Sequence, residues 1–129
     1  MDGRWMGNFG SSMGTVAAPV AGDQETDWVA KTQDLSRADR VVIFSKTYCR
    51  YCTKAKGALE SAGHKHTVHE LDVQPNGSAM QQAIMRWTGQ STVPVVFVGG
   101  EFVGGCDDTL RELQSGRFAS KYEAAASKL

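Results

Sequence analysis

The residues best suited to chemistry are two cysteines, Cys49 and Cys52, with two residues between them. The 129-residue chain contains one other cysteine, Cys106. Three cysteines are too few, and an odd number, for a secreted disulfide scaffold. A C-x-x-C pair in an intracellular chain indicates thiol–disulfide exchange or metal binding. We expect the isolated Cys106 to be a small packed residue, with regulatory oxidation as the alternative.

Cys49 and Cys52 lie where a predicted buried strand passes into a predicted helix. Residues 41–44 are a continuous β-branched and aromatic run, which is typical of a strand buried on both faces. The helix is predicted over residues 50–62. The free N–H groups and positive dipole at its start favour the thiolate of Cys49, which is the reactive nucleophile. Positive charge acts in the same direction, since residues 41–59 contain four bases and no acid.

A zinc site is an alternative use of the cysteine pair. The order Cys49, Cys52, His64 and His69 is one residue short of a zinc-finger spacing. Against zinc, His64 follows the predicted helix and His69 falls in a predicted strand, whereas the histidines of a finger share one helix. A zinc-binding interaction module therefore stays open as a rival. We expect His64, His66 and His69 to be surface residues.

The remaining elements alternate between helices and strands. Trp28, Thr32 and Leu35 have the spacing of a short amphipathic helix. Further along, the pattern predicts a strand over 67–73 and then a helix that is capped by Ser78 and ended by Gly89. A strand over 94–98, a Gly99–Gly100 turn and a return strand over 101–103 follow. The last predicted elements are a helix over 109–114, capped by Asp107 or Asp108, and a closing helix through Phe118 and Tyr122.

This element order predicts an α/β fold. A parallel β-α-β half is followed by a β-β-α half, and an extra helix precedes both. Together they predict a four-stranded mixed β-sheet flanked by helices. Residues 1–23 contain five glycines and lack apolar periodicity. We therefore expect a disordered tail over 1–23 and one folded domain over 24–129.

Composition and charge exclude several other classes of function. Fourteen basic and fourteen acidic residues give a formal net charge of zero, so the chain lacks the cation surplus of a general nucleic-acid binder. No apolar run approaches the length of about 18 residues that a membrane-spanning helix needs. We expect neither nucleic acid nor membrane as a partner. The N-terminus lacks the features of a secretory signal, which favours a cytoplasmic protein, with a plastid or mitochondrial location as the alternative.

Three sequence blocks together resemble the glutaredoxin family. They are residues 44–52 (Phe-Ser-Lys-Thr-Tyr-Cys-Arg-Tyr-Cys), residues 87–94 (Trp-Thr-Gly-Gln-Ser-Thr-Val-Pro) and residues 104–108 (Gly-Gly-Cys-Asp-Asp). The blocks occur in the family's order and spacing, and the likeness covers residues from about 30 to 127. The chain most resembles the dithiol members of plants and algae, with a C-x-Y-C site. This resemblance implies a thioredoxin fold, in agreement with the predicted element order.

The resemblance also implies an enzyme, a glutathione-dependent thiol–disulfide oxidoreductase. Members of the family reduce protein–glutathione mixed disulfides and some protein disulfides, with glutathione as the electron donor. Cys49 matches the catalytic nucleophile, and Cys52 matches the second, resolving thiol. The implied partners are glutathione and glutathionylated or disulfide-bonded proteins, and the implied state is a monomer.

A glutathione-binding site follows from the same resemblance. Lys46 matches a base that pairs with a glutathione carboxylate, Tyr51 an aromatic wall beside the sulfur, and Gln81 a contact to the glycine end. Pro94 matches a cis-proline that frees the preceding backbone to bond an extended peptide. Residues 105–108 match the loop that holds the γ-glutamyl end. The implied binding residues are Lys46, Tyr51, Gln81, Thr92, Val93, Pro94, Gly105, Cys106, Asp107 and Asp108.

Arg50 departs from the family pattern, which usually has a proline at this position. Proline at the first helical position is preorganised and has no N–H. Arg50 restores that donor and adds a positive charge, so we expect it to favour the Cys49 thiolate further. Some relatives without the proline bind a [2Fe–2S] cluster between two subunits, with one cysteine and one glutathione from each. A [2Fe–2S] carrier that uses Cys49 is therefore the alternative function, and no other metal site is implied.

Overall fold

Four strands form one mixed sheet in the computed structural model, which describes residues 27–126. The strands are β1 (Val41–Ser45), β2 (Thr67–Glu70), β3 (Val95–Val98) and β4 (Glu101–Gly104), in the spatial order β2-β1-β3-β4. β1 is parallel to β2 and antiparallel to β3, and β3 pairs antiparallel with β4. The predicted four-stranded mixed sheet, with its parallel half and its hairpin half, is confirmed.

Helices cover both faces of this sheet. Those described are α1 (Trp28–Ser36), α2 (Arg50–Ser61), α3 (Gly77–Thr88), α4 (Cys106–Ser115) and α5 (Arg117–Ala125). Asp27 caps α1, because its carboxylate accepts a hydrogen bond from the Ala30 N–H at 3.0 Å. Over residues 27–126, no helix is both long and apolar enough to cross a bilayer. The predicted tail and the domain boundary after residue 23 lie outside the described residues.

β1 is buried on both faces, and every one of its residues is fully shielded from solvent. Val41 and Ile43 belong to a hydrophobic cluster that α2 and α5 close. Val42 and Phe44 point the other way, into a cluster that α3 closes and α1 packs against. The alternation of side chains along the strand thus divides the core into two layers.

β2 ends at Glu70, three residues before the predicted Val73. The chain turns at this point, because the Leu71 N–H donates to the Ser45 carbonyl oxygen at 2.8 Å and the Gln74 N–H donates to the Glu70 carbonyl oxygen at 2.9 Å. Ser45 and Glu70 are consequently the last residues of two paired strands.

The start of α3 also differs from the prediction. The helix begins at Gly77, after Asn76 in the left-handed conformation (φ 65°), so the predicted Ser78 cap is wrong. The reason is a close approach of backbones. A Cβ on residue 77 would collide with the carbonyl group of Leu71, and only glycine allows the helix to start there.

α4 begins at Cys106, with Gly105 as the cap residue and no side-chain capping bond. The predicted cap by Asp107 or Asp108 is therefore wrong. Both acids lie instead in the first turn, where the helix dipole favours negative charge. The bounds of α2, β3 and β4 differ from prediction by a single residue each.

Candidate active site

The sulfur of Cys49 lies at the start of α2. Cys49 is the N-cap residue of this helix, and its Sγ accepts a hydrogen bond from the Cys52 backbone N–H at 3.2 Å. The same sulfur lies 3.8 Å from the Val93 carbonyl oxygen. Cys49 is half-buried, in contrast to the other thiol of the pair. A backbone N–H at a helix start is the kind of donor that stabilises a thiolate.

Cys52 has the opposite environment. Its side chain is fully buried, and this burial, assisted by a hydrogen bond with Cys49, raises the pKa of its thiol to about 11. Hydrogen bonds from the Lys46 backbone and the Ser45 side chain oppose the rise. At neutral pH Cys52 therefore keeps its proton, and Cys49 is the thiol of the pair that is placed to attack.

A cleft of about 580 Å³ adjoins the Cys49 sulfur, since Val93 both lines it and contacts that sulfur. The Val93–Pro94 peptide bond in its wall is cis, as the resemblance implied. The structure brings eight of the ten predicted binding residues together here, along with Gln90, which the sequence analysis missed. The lining residues are Tyr51, Gln90, Thr92, Val93, Pro94, Gly105, Cys106, Asp107 and Asp108.

Gln90 holds the backbone of the cleft wall. Its Nε2 donates to the Pro94 carbonyl oxygen at 2.9 Å and to the Thr92 carbonyl oxygen at 3.2 Å. A Cβ on Gly105 would lie 3.3 Å from this nitrogen, so a glycine lets the two segments approach closely. Gln90 lies inside the 87–94 block that carries the resemblance, and its place in that block is the signal that could have identified it.

Lys46 and Gln81 do not line the cleft. Gln81 borders a smaller cavity of about 270 Å³ and donates from Nε2 to the Ser91 carbonyl oxygen at 2.9 Å. Ser91 immediately precedes Thr92 of the cleft wall. Lys46 is half-buried in the loop before Cys49, and its carbonyl oxygen accepts a hydrogen bond from the Cys49 N–H at 3.1 Å.

One end of the cleft is acidic. Asp107 and Asp108 are exposed in the first turn of α4, and Asp108 pairs with Arg111 at 2.7 Å. Cys106 beside them is buried, in line with the expectation of a packed residue, and burial raises the pKa of its thiol. The exposed bases Arg50 and Lys54 lie near Cys49 on α2. The site therefore offers both signs of charge to a ligand.

The histidines do not form a site with the cysteines. His64, His66 and His69 are half-buried, so the predicted surface exposure is wrong. His64 lies 4.3 Å from Tyr122 between ring centroids, and His69 stacks on Phe44 at 5.2 Å. Tyr122 and Phe44 belong to hydrophobic clusters on opposite faces of the sheet, so His64 and His69 pack on opposite faces as well. Within residues 27–126, no group of three or more His, Cys, Asp or Glu side chains is arranged to hold a metal ion.

Fold and site together define a thioredoxin-fold protein whose C-x-x-C pair has one half-buried and one buried thiol. The glutaredoxin family model matches residues 41–103. The chain is 48% identical over 89 residues to a glutaredoxin of Ricinus communis, covering 69% of this chain and 87% of that protein. It is 47% identical over 79 residues to glutaredoxin-C2 of Arabidopsis thaliana, covering 61% and 71%.

Solved structures agree with these relatives. The holo form of glutaredoxin C1 from Populus tremula x tremuloides superposes with a TM-score of 0.74 at 39% identity, covering 78% of this chain and 99% of that one. A buckwheat glutaredoxin–glutathione complex gives a TM-score of 0.76 at 35% identity, covering 84% and 97%. The chain belongs to the glutaredoxin family, and it is a glutathione-dependent thiol–disulfide oxidoreductase.

Proposed function

We propose that the chain reduces protein–glutathione mixed disulfides, with Cys49 as nucleophile and glutathione bound in the cleft. The observation that carries this proposal is the position of the Cys49 Sγ, 3.2 Å from a helix-start N–H and 3.8 Å from the carbonyl oxygen of the cleft residue Val93. A sulfur carried by a ligand in the cleft would therefore lie next to Cys49. The relative from buckwheat was solved as a glutathione complex, which supports this class of ligand.

The reaction proceeds by two thiol–disulfide exchanges. The Cys49 thiolate attacks the glutathionyl sulfur, the mixed disulfide breaks, and the substrate cysteine leaves as a thiolate. Cys49 then carries the glutathionyl group. A second glutathione thiolate attacks that group, which releases glutathione disulfide and restores Cys49.

Glutathione is an extended peptide with an ammonium group, two carboxylates and a thiol, and the cleft supplies partners for all of these except the glycine carboxylate. Asp107 and Asp108 attract the ammonium, and the N–H groups at the start of α4 donate hydrogen bonds to the neighbouring carboxylate. The Val93 backbone pairs with the extended peptide. Tyr51, 58% exposed, shields the sulfur. Lys46 and Gln81, outside the cleft lining, remain proposed contacts to the glycine carboxylate.

Cys52 serves a second route, in which protein disulfides are reduced. After Cys49 has formed a mixed disulfide with one substrate sulfur, the Cys52 thiolate attacks the Cys49 sulfur and closes an internal disulfide, while the bond to the substrate breaks and the substrate sulfur leaves as a thiolate. The burial of Cys52 makes this step slow, because its thiol must first lose a proton despite a pKa of about 11. The first route does not need that deprotonation.

The test is glutathione-coupled reduction of a glutathionylated substrate by the parent protein, Cys49→Ser and Cys52→Ser. We expect Cys49→Ser to be inactive and Cys52→Ser to keep or gain activity. If the parent is active and Cys52→Ser is inactive, a dithiol route dominates and the proposed mechanism is wrong. An inactive parent contradicts the proposed function itself.

The [2Fe–2S] carrier stays a prediction. Such clusters are held by four ligands, usually thiolates. Among the described residues this chain supplies one half-buried thiol, Cys49, while Cys52 and Cys106 are buried. A cluster would therefore need ligands from a second copy and from glutathione. Anaerobic reconstitution tests this, since a coloured, glutathione-dependent dimer supports the carrier and a colourless monomer contradicts it. The monomeric state and the cytoplasmic location likewise stay predictions.

A further inference from the structure

The loop that leads to Cys49 is held by a carboxylate outside it. Thr47, two residues before Cys49, donates two hydrogen bonds to Asp72. Its backbone N–H reaches Oδ1 at 3.0 Å, and its hydroxyl reaches Oδ2 at 2.5 Å. One carboxylate thus fixes both the backbone and the side chain of Thr47. We call this pair of hydrogen bonds the Thr47–Asp72 bracket.

The Thr47–Asp72 bracket continues the pairing of β1 with β2 beyond the ends of the strands. Ser45 and Glu70 are the last paired residues, and the Leu71 N–H donates to the Ser45 carbonyl oxygen at 2.8 Å. Extended by one residue more, the same register puts Thr47 opposite Asp72. Here a side chain replaces the backbone as the hydrogen-bonding partner. The sheet therefore reaches, through one carboxylate, into the loop before α2.

The turn that carries Asp72 is itself anchored on two sides. The backbone N–H groups of Val73 and Gln74 both donate to the Glu70 carbonyl oxygen, at 3.2 and 2.9 Å. On the other side, Gly77 at the start of α3 lies so close to the backbone of the turn that a Cβ has no room there. Asp72 therefore binds the loop from a rigid position.

The Thr47–Asp72 bracket lies between the two residues of the loop that are proposed to meet glutathione. Lys46, a proposed partner of the glycine carboxylate, precedes Thr47, and Cys49 follows it. The Cys49 N–H donates to the Lys46 carbonyl oxygen at 3.1 Å, which closes the loop into a turn around Thr47. Fixing Thr47 therefore fixes the nucleophile and the base relative to the sheet.

The charge of Asp72 works against the reaction, whereas its hydrogen bonds can serve it. The hydrogen bond from the Thr47 hydroxyl is the main cause that lowers the pKa of Asp72 from its ordinary value of 3.8, so the carboxyl group is ionised at neutral pH. A carboxylate near Cys49 disfavours the thiolate. It also repels glutathione, whose two carboxylates outnumber its one ammonium group. The benefit of Asp72 to the reaction must therefore come from the position that it imposes.

We propose that Asp72 is a positioning residue for glutathionyl transfer, which acts through Thr47 to hold Cys49 and Lys46 in the arrangement that receives glutathione. This role rests on the proposed function, because it concerns glutathione at the same site. A misplacement of about 1 Å can cost up to about a hundredfold in rate when a reagent must meet several groups at once. A reagent that needs the thiolate alone should be far less sensitive.

Two reagents with different demands test this role. Glutathione disulfide reacts when the Cys49 thiolate attacks one of its sulfurs, the disulfide bond breaks, and the other glutathione leaves as a thiolate. This reagent must fit the site, whereas iodoacetamide is small and neutral. The initial rates of both modifications are measured on reduced protein at about pH 7, where the thiolate is the reacting species. Peptide mass spectrometry reports the modification of Cys49, and thermal unfolding checks that each protein is folded.

Four variants divide the Thr47–Asp72 bracket into its parts. Asp72→Ala removes both hydrogen bonds and the charge. Asp72→Asn removes the charge alone, because an amide can accept from the Thr47 N–H and donate to the Thr47 oxygen. Thr47→Val removes the hydroxyl bond, and Thr47→Ser keeps it. The matched control is Glu101→Ala, which removes an exposed carboxylate at the start of β4, at the opposite end of the sheet.

We expect Asp72→Ala to slow glutathionylation of Cys49 by about five- to tenfold and alkylation by less than about twofold. Charge alone predicts the opposite sign, because glutathione disulfide has a net charge of about −2 and loss of a carboxylate favours its approach. Asp72→Asn should therefore equal or exceed the parent. Thr47→Val should slow glutathionylation by about two- to threefold, whereas Thr47→Ser and Glu101→Ala should match the parent.

The outcomes separate the two proposals. A parent that forms no glutathionyl adduct contradicts the proposed function, and the role of Asp72 with it. If the adduct forms, and folded Asp72→Ala reacts with glutathione disulfide as fast as Asp72→Asn, the positioning role is overturned and the proposed function stands. Equal slowing of both reagents also overturns it, because Asp72 then acts on the thiolate and not on the placement of glutathione. If Asp72→Ala does not fold, Thr47→Val and Thr47→Ser decide, and equal rates in these two overturn the role.

Discussion

The side-chain amide of Gln90 donates to the Pro94 carbonyl oxygen at 2.9 Å, across the cis peptide bond that precedes Pro94. A second bond from the same nitrogen reaches the Thr92 carbonyl oxygen at 3.2 Å. Gln90 thus fixes the backbone on both sides of Val93, whose carbonyl oxygen faces the Cys49 sulfur at 3.8 Å. The distance between cleft wall and nucleophile therefore depends on a side chain that touches neither thiol.

Gln90→Ala should lower the affinity for glutathionylated substrate more than it lowers turnover. Loss of both hydrogen bonds leaves two carbonyl groups without this donor and costs about 1–2 kcal/mol. We expect KM to rise severalfold and kcat to change by less than about twofold. Gln114→Ala, at an exposed position on α4, is the control. An unchanged KM in folded Gln90→Ala would contradict this role.

Arg50→Pro should decrease the reactivity of Cys49. Arg50 is exposed at the first position of α2, where its charge adds to that of the helix start. We expect alkylation of Cys49 by iodoacetamide at about pH 6 to slow by roughly two- to fivefold, with Arg50→Gln showing the part due to charge alone. Near 1 M salt, where the screening length is about 3 Å, that part should shrink. Equal rates in parent and Arg50→Pro would refute the prediction.

Much of the fold could be predicted from local sequence. β1 could be predicted because residues 41–44 are a continuous β-branched and aromatic run, and the structure buries all five residues of the strand. The hairpin of β3 and β4 could be predicted because two adjacent glycines readily adopt the positive φ of a tight turn, as Gly99 and Gly100 do in the structure. The starts of α3 and α4 could not, because neither has a side-chain cap. Their first residues are set by contacts with distant backbone, as at Gly77 against Leu71.

The candidate site shows the same division. The cysteines and most cleft residues lie in short continuous blocks, so sequence located them. The pairing of Ser45 with Glu70 depends on the register of β1 against β2, and on β2 ending at Glu70. Local sequence carries neither fact. The packing of His64 against Tyr122, some 58 positions later, is a tertiary contact of the same kind.

Gly104→Ala should damage the acidic end of the cleft. Gly104 has φ 132°, which a residue with a side chain rarely adopts, and a Cβ there would collide with the Asp108 carboxylate. We expect a loss of stability of about 1–3 kcal/mol and a higher KM for glutathionylated substrate. Urea unfolding and steady-state kinetics measure these effects.

The double variant Gly104→Ala/Asp108→Ala removes the carboxyl group of Asp108 and leaves only the Cβ of residue 108, at 2.8 Å from the new Cβ. It should recover part of the lost stability but not the KM, because the carboxylate is then absent from the cleft. If the double variant is no more stable than Gly104→Ala, the collision with the Asp108 carboxyl group plays no part, and the loss comes from the backbone conformation and the contact with the Cβ of residue 108.

His64 should make the protein less stable in mild acid. Burial lowers the pKa of His64, Arg40 acts in the same direction, and Glu123 opposes them. Since the folded pKa lies below the ordinary value of 6.5, the unfolded chain takes up the proton first as pH falls. The stabilising contribution is therefore complete above pH 6.5 and is lost as pH falls from there through the folded pKa.

Two substitutions separate this titration from packing. His64→Phe keeps a ring against Phe118 and Tyr122, whereas His64→Gln does not, and neither new side chain titrates. Urea unfolding at about pH 7.5 and pH 5 should show a smaller loss of stability in acid for both variants than for the parent. His64→Gln should be the less stable of the two at either pH, because it loses the ring contacts. If both variants keep the parent's full loss between the two pH values, His64 is not the titrating group, and the acid sensitivity lies elsewhere.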